Sequence, residues 1–64
     1  MKNRVREVRF ERMITKQELA DRANVTYATI LRIENHPEFV VRDKTKFALS
    51  RVLDIPVNEL FPKE

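Results

Sequence analysis

The chain has 64 residues, no glycine and no cysteine, and its 13 Lys and Arg against 10 Asp and Glu leave a net charge of +3. A chain of this length buries only about 60% of the surface it exposes when unfolded, which argues against a large enclosed active site. Without cysteine neither a disulfide framework nor a thiolate metal site is available, so packed helices must hold the fold together.

No apolar run approaches the roughly 20 residues that span a bilayer, and Met1 to Arg4 lead into charge rather than into a signal-peptide core. The expectation is a cytoplasmic protein with no membrane partner. Its charge is unevenly placed. Lys2, Arg4, Arg6, Arg9, Arg12 and Lys16 stand against Glu7 and Glu11, and Arg42, Lys44, Lys46 and Arg51 stand against Asp43. Two basic segments that a fold can bring onto one face suit a polyanion, with ordinary solvated helix faces as the alternative.

In chain order, Val5, Val8, Phe10, Met13 and Ile14 form an apolar stripe that predicts a first helix over about 2–12. Thr15 followed by Glu18 is a capping box, which starts a second helix at Lys16. That helix turns Leu19, Ala20 and Ala23 inward and stops at Asn24. Thr26 is the next cap and opens a third helix over about 27–35, with Thr26, Ile30 and Ile33 facing in. His36-Pro37-Glu38-Phe39-Val40-Val41 breaks the helical period and reads as a loop, with His36 as a loop residue or helix cap. A fourth helix runs over about 42–53 with Thr45, Ala48, Leu49, Val52 and Leu53 inside. Asp54-Ile55-Pro56 ends it, and a last short helix covers about 57–61, between Pro56 and Pro62. The result is an all-α bundle of five short helices in a single domain spanning residues 1–64.

The second and third helices are joined by only a few residues and can cross steeply only if the turn is tight and the crossing residues are small. Ala20 meets the second demand, and Val25 and Ile30 wedge between the helices. Asn24 meets the first, since asparagine follows glycine in tolerance of the left-handed region. With Thr26, Ile30 and Ile33 inward, the period puts Tyr27, Ala28, Leu31, Arg32 and Asn35 on the outer side of the third helix. Arginine there suits guanine, and alanine or leucine suits a thymine methyl. Lys16, beside the free N–H groups that open the second helix, suits a phosphate.

The stretch TKQELADRANVTYATILRIEN resembles the Cro/C1-type (XRE) helix-turn-helix, whose usual run is close to T-Q-E-E-L-A-E-K-L-G-V-S-x-x-T-I-S-R-I-E-x-G. Thr15, Glu18, Leu19, Ala20, Val25, Thr29, Ile30, Arg32, Ile33 and Glu34 match it, and Thr26 replaces its serine. The pattern from Leu53-Asp54-Ile55 to Leu60-Phe61 mirrors the family's L-G-V-x-x-x-x-L-F ending. The resemblance implies a lambda-repressor-like, five-helix DNA-binding domain with its motif at about 16–35. It also implies a transcriptional regulator of the repressor kind, bound to double-stranded DNA through the third helix.

Four departures stand out. The glutamine common at the first residue of the second helix is Lys16, with Gln17 one place later. The turn glycine is Asn24, the glycine after the third helix is His36, and Tyr27, Ala28 and Leu31 sit at positions that vary freely in the family. Hence the target sequence is not inherited.

The resemblance further implies that Glu34 orients Arg9 toward a phosphate, an ordinary ion pair being the alternative. It implies backbone contacts from Thr29 and Thr26, against local hydrogen bonds as the plain reading. Tyr27 either meets the DNA backbone or covers the helix crossing. Arg42, with Lys44 and Lys46, extends the phosphate track or is solvated charge. Phe39, Val40, Val41, Val57, Leu60 and Phe61 are many large apolar residues outside the main stripes. Some complete the core; Phe39, Val40, Val57, Leu60 and Phe61 are read as a homodimer interface on a palindromic operator. A protein-interaction module, antitoxin-like or adaptor, using the loop and last helix is the second reading. With one histidine and scattered carboxylates, no catalytic residue, metal site, cofactor or small-molecule effector is expected, and no enzymatic activity.

Overall fold

Helices account for all the regular structure among residues 3–62, the part that the computed structural model describes: α1 (Val5–Glu11), α2 (Lys16–Ala23), α3 (Tyr27–Asn35), α4 (Asp43–Leu53) and α5 (Val57–Leu60). Their inner faces meet in one core in which Val5, Val8, Leu19, Ala20, Ile30, Leu49, Leu53 and Leu60 lose all contact with solvent and Ile33 nearly all. No helix among the described residues is long and apolar enough to cross a membrane.

The first helix starts later than predicted: residues 3 and 4 are not helical, and residue 2, the predicted start, lies outside the described residues. Asn3, buried, accepts from the Val5 N–H at 3.0 Å and donates from Nδ2 to the Ile33 carbonyl at 3.1 Å. It therefore covers an N–H that the helix start leaves unpaired and ties that start to α3. Arg4 N–H donates to the Leu60 carbonyl at 2.8 Å, so the same segment also straps α5. At the other end the apolar stripe is wrong in two places. Phe10 is 64% exposed and Met13 is 89% exposed, because Val5, Val8 and Arg9 take the inner side of α1 and the chain turns away after Arg12.

The start of α2 follows the capping box. Thr15 Oγ1 accepts from Glu18 N–H and Glu18 Oε1 accepts from Thr15 N–H, each at 3.0 Å. The Thr15 N–H holds the Glu18 carboxyl below its ordinary titration range. Asn24 ends the helix at φ 59°, ψ 44°, in the left-handed region as its position in the turn requires. Val25 N–H then reaches back to the Ala20 carbonyl at 3.0 Å, and α3 begins two residues later. Thr26 caps α3 through its Oγ1, which accepts from Thr29 N–H at 3.1 Å. That cap holds Thr26 outside the helix and exposed, not inward as the stripe predicted.

After α3, His36 is the cap residue, and Phe39 and Val41 turn back onto the core while Val40 stays 82% exposed. In α4, Leu49 and Leu53 are buried, and Thr45, Ala48 and Val52 are half-buried on the same side. Asp54 ends α4 in the left-handed region at φ 56°, and Arg12 donates to the Leu53 carbonyl at 2.8 Å and to the Asp54 carbonyl at 3.3 Å. The arginine that ends α1, Arg12, thus caps the carbonyl end of α4.

Among the described residues three, Met13, Asn24 and Asp54, have positive φ. Met13 is the most costly, since its side chain has neither the local hydrogen bonding of Asn or Asp nor any burial to offset the strain. Replacing it with the residue best suited to that backbone removes strain and no packing. Met13→Gly is expected to raise unfolding free energy by about 1 kcal/mol, and Asn24→Ala to lower it by a similar amount, in urea titrations followed by circular dichroism.

Candidate nucleic-acid interface

The outer side of α3 is the most distinctive surface. Ile30, Ile33 and Glu34 occupy its inner side, which leaves Ala28, Arg32 and Asn35 exposed, Tyr27 at 43% exposure and Leu31 half-buried. The only carboxylate in α3 belongs to Glu34, and its side chain is fully buried. A face with one arginine, one amide and no acid is what remains.

What buries Glu34 is α1. Arg9 donates from Nε to Glu34 Oε2 at 2.8 Å and from Nη2 to Oε1 at 3.2 Å, a forked pair. Its Nη1 donates to the Ile14 carbonyl at 3.0 Å, and the Phe10 ring lies 4.7 Å from the guanidinium carbon. This explains the exposed phenylalanine: Phe10 covers the cation rather than joining the core. It also bears on the reading of Arg9 as a phosphate contact, since the guanidinium already has partners inside the protein. Arg9 is 6% exposed, and all three guanidinium nitrogens are engaged inside the protein, so it is an internal brace. The ion-pair alternative holds, but in a buried setting where the pair matters far more than at a surface.

Arg6, one turn earlier, was not singled out by the sequence. Its Nε donates to Glu34 Oε1 and its Nη2 to the Glu34 carbonyl, both at 3.4 Å, and Nη2 also donates to Asn35 Oδ1. Asn35 is thus held from α1 while its side chain lies on the exposed face. No helical period within α1 or α3 alone points to this contact, which depends on how the two helices cross.

The remaining candidates fall into two groups. Lys16 is half-buried at the first residue of α2, and Gln17 beside it is exposed, its Nε2 donating to Asp21 Oδ1 at 3.0 Å. Thr26 and Thr29 share a hydroxyl–hydroxyl contact of 2.9 Å beside the cap bond, so both local hydrogen bonds are made. Across from them, Arg42 stands exposed just before α4 and lines two open grooves, one of about 310 Å³ with Thr29, Phe39 and Val40, and one of about 320 Å³ with Asn24, Val25 and Lys44. Lys46 does not join them; its Nζ sits 5.5 Å from the Phe61 ring centre. Leu60, expected at a dimer interface, is instead sealed in the core, while Phe39, Val57 and Phe61 are half-buried. Its place is decided by α5 folding back so that Leu60 packs inside and its carbonyl receives the Arg4 N–H.

Two helices joined at a left-handed Asn24, the second with an acid-free outer face, form a helix-turn-helix, and a helix-turn-helix family model matches residues 5–60, the span of all five helices. The chain belongs to the Cro/C1-type (XRE) helix-turn-helix family. Comparison with curated proteins gives no match. As a Cro/C1-type protein it has the all-α, lambda-repressor-like fold and is a DNA-binding regulator of double-stranded DNA. In this member of the family the motif is anchored through Glu34, so the anchor is open to direct test. Arg9→Ala or Glu34→Ala strands a buried charge and is expected to cost about 3–5 kcal/mol, a large part of the stability of so small a chain. Urea unfolding of both single variants and the double variant checks this, with the double variant losing less than the sum.

Proposed function

We propose that the protein is a sequence-specific transcriptional repressor that binds as a homodimer to a palindromic operator, with α3 in the major groove. The observation that carries this reading is the burial of Glu34. A phosphate-lined groove repels carboxylates, and the one acid of α3 lies inside the protein against Arg9. Arg32 is exposed on the opposite side, long enough to reach guanine N7 and O6, while Ala28 and Leu31 offer small apolar contact to a thymine methyl. Tyr27, Thr26, Thr29 and Asn35 meet sugar and phosphate along the same helix. Lys16 and Gln17 at the start of α2, and Arg42 ahead of α4, hold the backbone on either side.

Dimerisation follows from the small number of contacts one copy can make. Two modules on half-sites about 34–36 Å apart turn weak single contacts into firm binding. Val40, 82% exposed, with the half-buried Phe39, Val57 and Phe61, is the apolar surface for the second copy. The protein works in the cytoplasm, at the chromosome or other DNA it regulates. The same exposed Val40 supports the second reading, a module that binds another protein through the loop between α3 and α4.

Salt separates the two. DNA affinity should fall steeply as salt rises, because each neutralised phosphate releases condensed counterion. Against a panel of duplexes, Arg32→Ala should lose roughly 1–3 kcal/mol on the preferred site and relax selectivity at one base pair. Equal affinity of Arg32→Ala and wild type across the panel would remove α3 from the groove.

A further inference from the structure

Four arginines lie on or beside α1, and the structure divides their work. Arg4 pairs with Glu7 one turn away at 3.1 Å. Arg9 is enclosed, and Arg12 reaches the carbonyl end of α4. Only Arg6 combines an open side chain, 42% exposed, with contacts to α3. It crosses from the buried Glu34 carboxylate to Asn35 on the outer face, so its guanidinium lies where the inner and outer sides of α3 meet at the last turn.

We infer that Arg6 is the arginine of α1 that meets the DNA backbone, and that it sets Asn35 with its amide hydrogens turned outward to donate to the same phosphate. This rests on the DNA-binding reading with α3 in the groove. Charge supports it first. Glu34 and Arg9 neutralise one another, so Arg6 leaves the site with one net positive charge. It places that charge beside the last turn of α3, whose unpaired carbonyls carry partial negative charge unfavourable to phosphate. By donating to the Glu34 carbonyl, Arg6 covers part of that charge.

Hydrogen-bond chemistry supports it second. A guanidinium has donors and no acceptor, so the Asn35 atom it meets is the oxygen, as found. The amide nitrogen is left on the other side with two hydrogens to give. Arg6 and Asn35 then act as one unit: a cation for the phosphate charge and a fixed donor for one of its oxygens.

The test uses the full chain and fluorescein-labelled mixed-sequence duplex DNA, with affinity read by anisotropy across a salt series and folding by thermal melt. Arg6→Gln is expected to reduce the slope of log affinity against log salt by about 0.9 and to weaken binding about tenfold at low salt. Asn35→Ala should weaken wild type but add little to Arg6→Gln. Arg6→Lys, which keeps the charge without the fork, should keep the slope and lose the coupling to Asn35. If Arg6→Gln stays folded and binds with the wild-type slope, the assignment is overturned. If Arg6→Gln melts below the assay temperature, Arg6→Lys decides: coupling to Asn35 undiminished overturns it, and coupling lost with the slope retained supports it. Wild-type protein that shows no salt-dependent binding would instead overturn the DNA-groove reading on which it rests.

Discussion

A single buried carboxylate governs this molecule. Glu34 is the residue through which α1 holds α3, by a forked pair from Arg9 and a longer contact from Arg6. Taking a carboxylate and a guanidinium out of water is expensive, and it is tolerated only where the geometry and remaining hydrogen bonds are good. Here they are: no buried side-chain polar atom among the described residues lacks a partner. The arrangement has two consequences of different kinds. It fixes the angle of α3 against the body of the fold, and it clears the outer face of α3 of negative charge. The first is a structural effect and the second an electrostatic one, yet one side chain produces both.

The turns obey a related constraint. A five-helix chain of this size needs abrupt reversals, and without glycine it makes three of them, among the described residues, with other residues in the left-handed region. Asn24 and Asp54 are the short polar residues that tolerate this best. Met13 has no such excuse in its side chain. Its backbone is held by the turn itself, in which Met13 N–H donates to the Phe10 carbonyl and Ile14 N–H to the Arg9 carbonyl. The second of these bonds delivers Ile14 to the core and sets its own carbonyl before Arg9 Nη1. Strain at the exposed Met13 therefore helps build the brace around Glu34.

Local signals were legible in the sequence and cross-helix ones were not. The bounds of α2 and α3 follow from Thr15, Glu18, Asn24 and Thr26, residues whose side chains act within three or four positions of themselves. The outer face of α3 follows from helical period. By contrast, Phe10 looks like core by spacing and is a cover for Arg9, a role visible only once the guanidinium is seen to be buried beneath it. Thr26 was expected inward because period was applied to a cap residue, which lies outside the helix. Leu60 was assigned to a partner surface because its burial depends on α5 folding back against the rest of the chain. The contacts of Arg6, which the sequence places only in a basic segment, and of Asn3 are not legible there, since their partners lie 28 or more positions away.

The central claim is that the acid-free face of α3, set by Glu34, reads a defined DNA sequence in two copies. Repeated selection of duplexes from a random pool by the wild-type protein tests it most directly. The account predicts enrichment of a palindrome whose half-site centres lie about one helical turn apart. Recovery of no common sequence, from protein that is folded and binds DNA, would contradict it.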